Sequence, residues 1–118
     1  MPTDKRIDYI EFPAADLETT KRFFGEVFGW TFVDYGPDYC AFSDGRLDGG
    51  FRKATSFSST AANGAALVVL YADDLEATRD RVSAAGGAIL QDIFSFPGGR
   101  RFHFLDVSGN ELAVWSDR

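Results

Sequence analysis

Among its 118 residues this chain has one cysteine, Cys40, one histidine, His103, and only four prolines. A lone cysteine leaves no internal disulfide, so the sequence reads as a protein of a reducing compartment, the cytoplasm. One histidine excludes a multi-histidine metal site. Residues 1–8, MPTDKRID, carry charges with no apolar run behind them and do not read as a signal peptide. No stretch approaches the roughly 18 apolar residues that span a bilayer, so no membrane partner is expected. Basic residues are also scarce. Twelve Lys and Arg stand against 18 Asp and Glu, a net charge of −6 without the basic stripe of a nucleic-acid binder. Such a balance serves solubility and favours cationic over anionic ligands.

Rings, by contrast, are plentiful: twelve Phe, four Tyr and two Trp in a chain that is 45% hydrophobic and 25% charged. That composition fits one soluble globular domain, 1–118, with a ring-rich core or pocket. The chain also repeats itself. AADLETTKRFF (14–24) and ADDLEATRDRV (72–82) align at an offset of 58, Ala14, Asp16, Leu17, Glu18 and Thr20 falling on Ala72, Asp74, Leu75, Glu76 and Thr78.

Each copy starts as a strand, IDYIEFPA (7–14) or ALVVLYA (66–72), and meets an Asp able to cap a helix. Leu17, Thr20, Phe24, Val27 and Phe28 form one stripe, and Leu75, Thr78, Val82 and Ala85 the other. Gly29 and Gly86–Gly87 end the helices, with Gly29 falling on Gly87. Three strand-like stretches follow each helix: 30–35, 39–44 and 49–54, then 88–96, 100–106 and 111–116. Between the halves, TSFSSTAANGA (55–65) is small, polar and featureless, a linker or mobile loop. The reading is an α+β fold, β-α-β-β-β written twice as modules 7–54 and 66–116. Each helix covers one face of its sheet, and the remaining faces are expected to form a cup holding the ligand site.

Paired modules with these sequences resemble the vicinal oxygen chelate superfamily, the group of glyoxalase I, bleomycin-resistance proteins, fosfomycin-resistance enzymes and extradiol dioxygenases. The markers are the strand-then-DL openings at 9–17 and 67–75, FFGEVFGW (23–30) and the closing FLDVSGNELAV (104–114), similar to the family's Phe-x-Asp-Pro-x-Gly-x-x-x-Glu. The resemblance implies a metal position fed by one residue from the first strand and one from the last strand of each module. Those positions fall on Tyr9, Leu67 and Ala113, with the fourth near Gly50. Leu and Ala offer no donor, Gly only backbone, and neutral Tyr is a poor ligand, so no metal and no cofactor is expected. It also implies a homodimer, which would protect sheet edges in so short a chain.

Strand alternation and family registration then fill the cup with Tyr9, Glu11, Leu67, Tyr71, Arg101, His103, Glu111, Ala113 and Trp115, leaving Phe102 and Phe104 under the helices. Such a mixture suits a flat or cationic small molecule. His103 could act as an acid or base if paired with Glu11 or Glu111, making His103 and Glu11 the catalytic candidates. The alternative for His103 is a satisfied strand histidine, and for Arg101 an ion pair across the sheet or a clamp on a ligand carboxylate. Cys40, within YCAF, reads as a small core residue. Two functions follow: a metal-free small-molecule-binding protein, or a lyase, isomerase or dioxygenase using His103 and glutamates or an atypical metal site. A third is a structural domain whose cup is plugged by its own rings.

Overall fold

A computed structural model describes residues 2–55, 57 and 59–118; Ser56 and Ser58 of the expected linker lie outside the described residues. The chain divides into two compact units, 1–57 and 58–118. Unit 1 runs β1 (Tyr9–Ala14), α1 (Leu17–Phe28), β2 (Thr31–Asp34), β3 (Tyr39–Ser43) and β4 (Asp48–Lys53). Unit 2 opens with a 3-10 turn (Ala61–Asn63) and continues with β5 (Val68–Tyr71), α2 (Leu75–Ala84), β6 (Ala88–Phe96), β7 (Gly99–Leu105) and β8 (Glu111–Ser116). The sheets have equivalent orders, β1-β4-β3-β2 and β5-β8-β7-β6. In each the first strand pairs parallel with the last and the remaining pairs are antiparallel.

The repeated residues have physical duties at the helix starts. Asp16 and Asp74 sit in extended backbone, and their carboxylates accept the N–H of Thr19 and Ala77 at 3.1 and 3.0 Å. Thr20 and Thr78, both buried, donate their hydroxyls to the carbonyls of those same aspartates at 2.7 and 2.8 Å. A threonine can thus sit inside a helix with its polar atom satisfied. At the C-termini the offset fails by one residue. The left-handed glycine after α1 is Gly29 (φ 73°), but after α2 it is Gly86 (φ 101°) rather than Gly87.

Unit 1 is held by stacked rings between α1 and its sheet. Trp30 lies 4.6 Å from Phe24 and 4.4 Å from Phe42, both near parallel, and Phe51 packs 5.2 Å from each of those phenylalanines. Phe12 adds a further contact at 5.7 Å to Phe51. Each such pair contributes about 0.5–1.5 kcal/mol beyond the area it buries. Glycine at 49 makes this packing possible, because a side chain there would run into the carbonyl of Ile10 and the ring of Phe42. In unit 2 the equivalent layer is Leu75, Val82, Phe102, Phe104, Leu112 and Val114, all almost wholly buried.

Two details of unit 2 add to the sequence reading. The stretch 59–65 is tied to β8: Ser59 offers its carbonyl to the Glu111 N–H at 2.9 Å, and the Ala61 N–H donates to the Glu111 carboxylate at 2.8 Å. Leu67 precedes β5, which starts at Val68, one residue too late to include it.

Gly49→Ala is expected to destabilise the chain by about 1–3 kcal/mol, the usual range for overpacking, because one obstacle is backbone and cannot rotate away. A urea midpoint equal to the parent's would contradict this. Cys40 is fully buried, and burial raises its thiol pKa. A thiol reagent should therefore titrate one equivalent in urea and react far more slowly with the folded chain.

Candidate functional site

Each sheet has one face under its helix and one turned away from it. On the open face of unit 1 the register sets Glu11 beside Gly50 and Gly50 beside Ala41, with Tyr39 beside Arg52. Tyr39 donates its hydroxyl to Glu11 at 3.1 Å, and the Tyr9 and Tyr39 hydroxyls are hydrogen-bonded to each other. Arg52 stands 3.7 Å from the Glu11 carboxylate. Burial, with Tyr9 and Glu11 contributing, pushes the Tyr39 phenol well above its ordinary range. A groove of about 470 Å³ runs along this face, lined by Tyr9, Thr31, Val33, Tyr35, Ala41 and Asp48 among others.

Gly50 is the instructive position. A side chain there would collide with the Tyr39 hydroxyl and come within 2.7 Å of that of Tyr9. The space where a last-strand carboxylate would project is taken up by two phenols.

Unit 2 repeats the register with other chemistry. Val69 pairs with Ala113, which pairs with His103, which pairs with Gln91. The next row is Tyr71, Trp115, Arg101 and Phe94. Tyr71, Arg101, His103, Glu111, Ala113 and Trp115 therefore share the open face of one sheet. Phe102 and Phe104 alternate with them on the side α2 covers. Tyr71 packs edge-on to Trp115 at 5.2 Å, and Phe96 lies 6.3 Å from Trp115. The Arg101 guanidinium sits over Phe94 and Phe96, 5.3 and 5.7 Å from their centroids.

Sequence reading missed Phe94 and Phe96, although the hairpin register of Phe96 with Gly99 sets both on the face of Arg101; the irregularity of β6 lies farther from the turn. Its register shifts between Ile89 and Gln91 and again between Gln91 and Phe94. The second shift sets three residues of β6 against two of β7, so Gln91 and Phe94 land on one face despite odd spacing. Tyr39 was legible from alternation with the buried Cys40 and Phe42, whereas Arg52 needed the strand register.

Of the two carboxylates considered for His103, Glu111 is the one bonded to it: Nδ1 lies 2.8 Å from Oε2. Glu11 instead bonds Tyr39 and Arg52 within its own unit. Both members of the His103–Glu111 pair are buried. Burial pushes the Glu111 carboxyl up, but His103 and the Ala61 N–H outweigh it and hold its pKa below the ordinary value of 4.5. The carboxylate is thus ionised at neutral pH and only accepts, so the hydrogen lies on Nδ1. In a neutral ring Nε2 then keeps its lone pair, and that atom is buried with no hydrogen-bond partner among the described residues.

The closing motif is structural. The buried Asp106 carboxylate accepts the N–H groups of Ser108 and Asn110 at 2.9 Å and the Asn110 side chain at 3.0 Å, fixing the β7–β8 turn. Burial raises its pKa despite these bonds. Val107 stands where the resembled motif has proline.

The sequence profile of the Glyoxalase/Bleomycin resistance protein/Dioxygenase superfamily matches residues 6–114. The chain belongs to that superfamily. A comparison with curated protein sequences gives no match. Among solved structures, a glyoxalase-related enzyme from Fulvimarina pelagi is 21% identical, covering 95% of this chain and 88% of that one at a TM-score of 0.78. A lactoylglutathione lyase from Agrobacterium tumefaciens is 22% identical, with 98% and 96% covered and a TM-score of 0.71. The fosfomycin resistance protein FosX from Listeria monocytogenes, an E126Q mutant complexed with Mn(II) and 1S,2S-dihydroxypropylphosphonic acid, is 14% identical, with 96% and 90% covered and a TM-score of 0.80. At these identities the likeness is one of fold.

The donor set does not fit the metal this superfamily implies. Tyr9 has its hydroxyl engaged by Tyr39, Gly50 has no room for a ligating side chain, and Leu67 and Ala113 have no donor. Among the described residues no three of His, Cys, Asp and Glu are grouped to hold an ion. No helix among the described residues is long and apolar enough to cross a membrane.

Glu111→Gln should cost about 1–3 kcal/mol at neutral pH, since it weakens a charge-assisted bond and unbalances a buried pair. Because the folded-state pKa is depressed, that stabilisation is complete above pH 4.5 and fades as pH falls through the folded value. Urea midpoints of parent and variant are therefore expected to converge under acid. A gap unchanged from pH 7 down to pH 3 would contradict the assignment.

Proposed function

We propose that this chain is a metal-independent small-molecule-binding domain, taking a flat, ring-containing ligand on an open sheet face. The observation that carries this reading is the content of the four positions expected to hold a metal: Tyr9, Gly50, Leu67 and Ala113. In their place stand a hydroxyl pair with Glu11 in unit 1 and an aromatic wall around Arg101 and His103 in unit 2. Trp115, Tyr71, Phe94 and Phe96 supply the apolar area, and His103 and Arg101 the few polar contacts that orient a ligand. Exposed Val33, Tyr35, Val69, Tyr71 and Leu90 support a homodimer that would cover part of this apolar surface. The buried, unpaired Cys40 fits a reducing, cytoplasmic setting.

A second reading is favoured by the unpartnered Nε2 of His103. Held by Glu111 through Nδ1, that nitrogen could take a proton from a bound ligand, which would make the domain a lyase or isomerase. Fold membership does not choose between the two. His103→Asn does: binding should largely survive it, while proton transfer should fall by about 100-fold or more.

The direct test is metal analysis of chain purified without chelator or affinity nickel, followed by titration with manganese, iron, nickel and zinc. No stoichiometric metal and no tight uptake are expected, with ligand binding unaffected by chelator. One tightly held ion per chain would overturn the proposal.

A further inference from the structure

We infer that Arg101 receives the anionic end of the ligand, a carboxylate attached to a ring or conjugated system, and that this face selects against cations. The inference rests on the binding reading above and names its ligand class. The acidic balance of the whole chain points the other way, so the local arrangement decides.

Arg101 differs from every other described arginine. Arg52, Arg79, Arg100 and Arg118 each have a carboxylate within ion-pair distance. Arg6, Arg22, Arg46 and Arg81 have none but are exposed, so water solvates them. Arg101 is half-buried, its Nε is buried without a hydrogen-bond partner, and among the described residues no carboxylate lies within ion-pair reach. Asp117, just past β8, has its carboxylate bonded by the Tyr71 hydroxyl, and Glu111, the carboxylate within the strand on this face, is two register pairs away, since Arg101 pairs with Trp115, His103 with Ala113 and Leu105 with Glu111. That is roughly 13 Å along the strand, and the Glu111 oxygens are already engaged by His103 and Ala61.

A guanidinium half withdrawn from water, its Nε buried and unbonded and no counter-charge in reach, is incompletely solvated. Phe94 and Phe96 offset part of that lost solvation through their ring faces. What they cannot supply is an acceptor for its N–H groups. A planar carboxylate meets a guanidinium through paired hydrogen bonds, and its ring would lie against the aromatic side chains around Trp115. A ligand cation in that place would meet Arg101 first.

The test is calorimetric titration of the full chain with three probes of one ring and different charge: benzoate, benzamide and benzyltrimethylammonium. Benzoate is expected to bind about tenfold or more tighter than benzamide, as a charge-assisted bidentate contact requires, with the ammonium weakest. Added salt should narrow the gap. Arg101→Gln should abolish the benzoate preference, Arg101→Lys should retain part of it, and Arg81→Gln, which removes an equal charge from the surface of α2, should leave it intact. Equal binding of benzoate and benzamide, or equal losses in the Arg101 and Arg81 variants, would overturn the inference and leave the binding reading standing. If none of the three probes produces heat or perturbs tryptophan fluorescence, the small-molecule reading falls and this inference falls with it.

Discussion

The parallel pairing of first and last strands in each unit is the constraint on which the rest depends. A parallel pair cannot close through a hairpin, so the chain must leave the sheet, cover it with a helix and return before that pair can form. Here the return includes two further strands, which fill out the antiparallel side of the sheet. The register that results, Glu11 with Gly50 and Val69 with Ala113, aligns the two units residue for residue. A slip of one residue would turn the buried phenylalanines out and the polar residues in, and that penalty pins the register.

On this shared backbone the two halves have diverged in chemistry. Where unit 2 has His103, unit 1 has Ala41; where unit 2 has Arg101, unit 1 has Tyr39. Unit 1 therefore carries a hydroxyl–carboxylate cluster beside a groove, and unit 2 a cation among rings beside a buried acid–base pair. A doubled scaffold permits this, because the helix-facing layer holds each fold while the open face varies. The two faces are stabilised by different terms. Stacked aromatics dominate the covered layer of unit 1, whereas the open faces carry a few hydrogen bonds, exposed in unit 1 and, for His103 and Glu111 in unit 2, shielded from water.

Glu111 shows how a small shift along a strand changes what a site can do. It stands two residues before Ala113 on the same face of β8, close enough to bond His103 diagonally on the neighbouring β7. The turn at 59–61 lends it an N–H donor, which lowers its proton affinity against the effect of burial. A carboxylate two residues from the expected ligand position becomes the orienting partner of the only histidine in the chain.

The sequence by itself determined the elements, their duplication and the helix-facing core, because each is a local signal: an Asp at a helix start, a period of 3.6 or of 2, a glycine at a turn. It also determined that Leu67 and Ala113 offer no metal donor, since that is a matter of side-chain chemistry. Only the tertiary structure decided that His103 bonds Glu111, that Gly50 lies under two phenols and that residues 59–61 serve β8. Each of these needs the distance between residues far apart in the chain. The hairpin register, Phe96 with Gly99 and Phe94 with Arg101, decided that these rings flank Arg101, while the two bulges in β6 set Gln91 against His103, an irregularity that no period-2 reading of AILQDIFSF contains. Pattern reports what each residue prefers, and register decides what it meets.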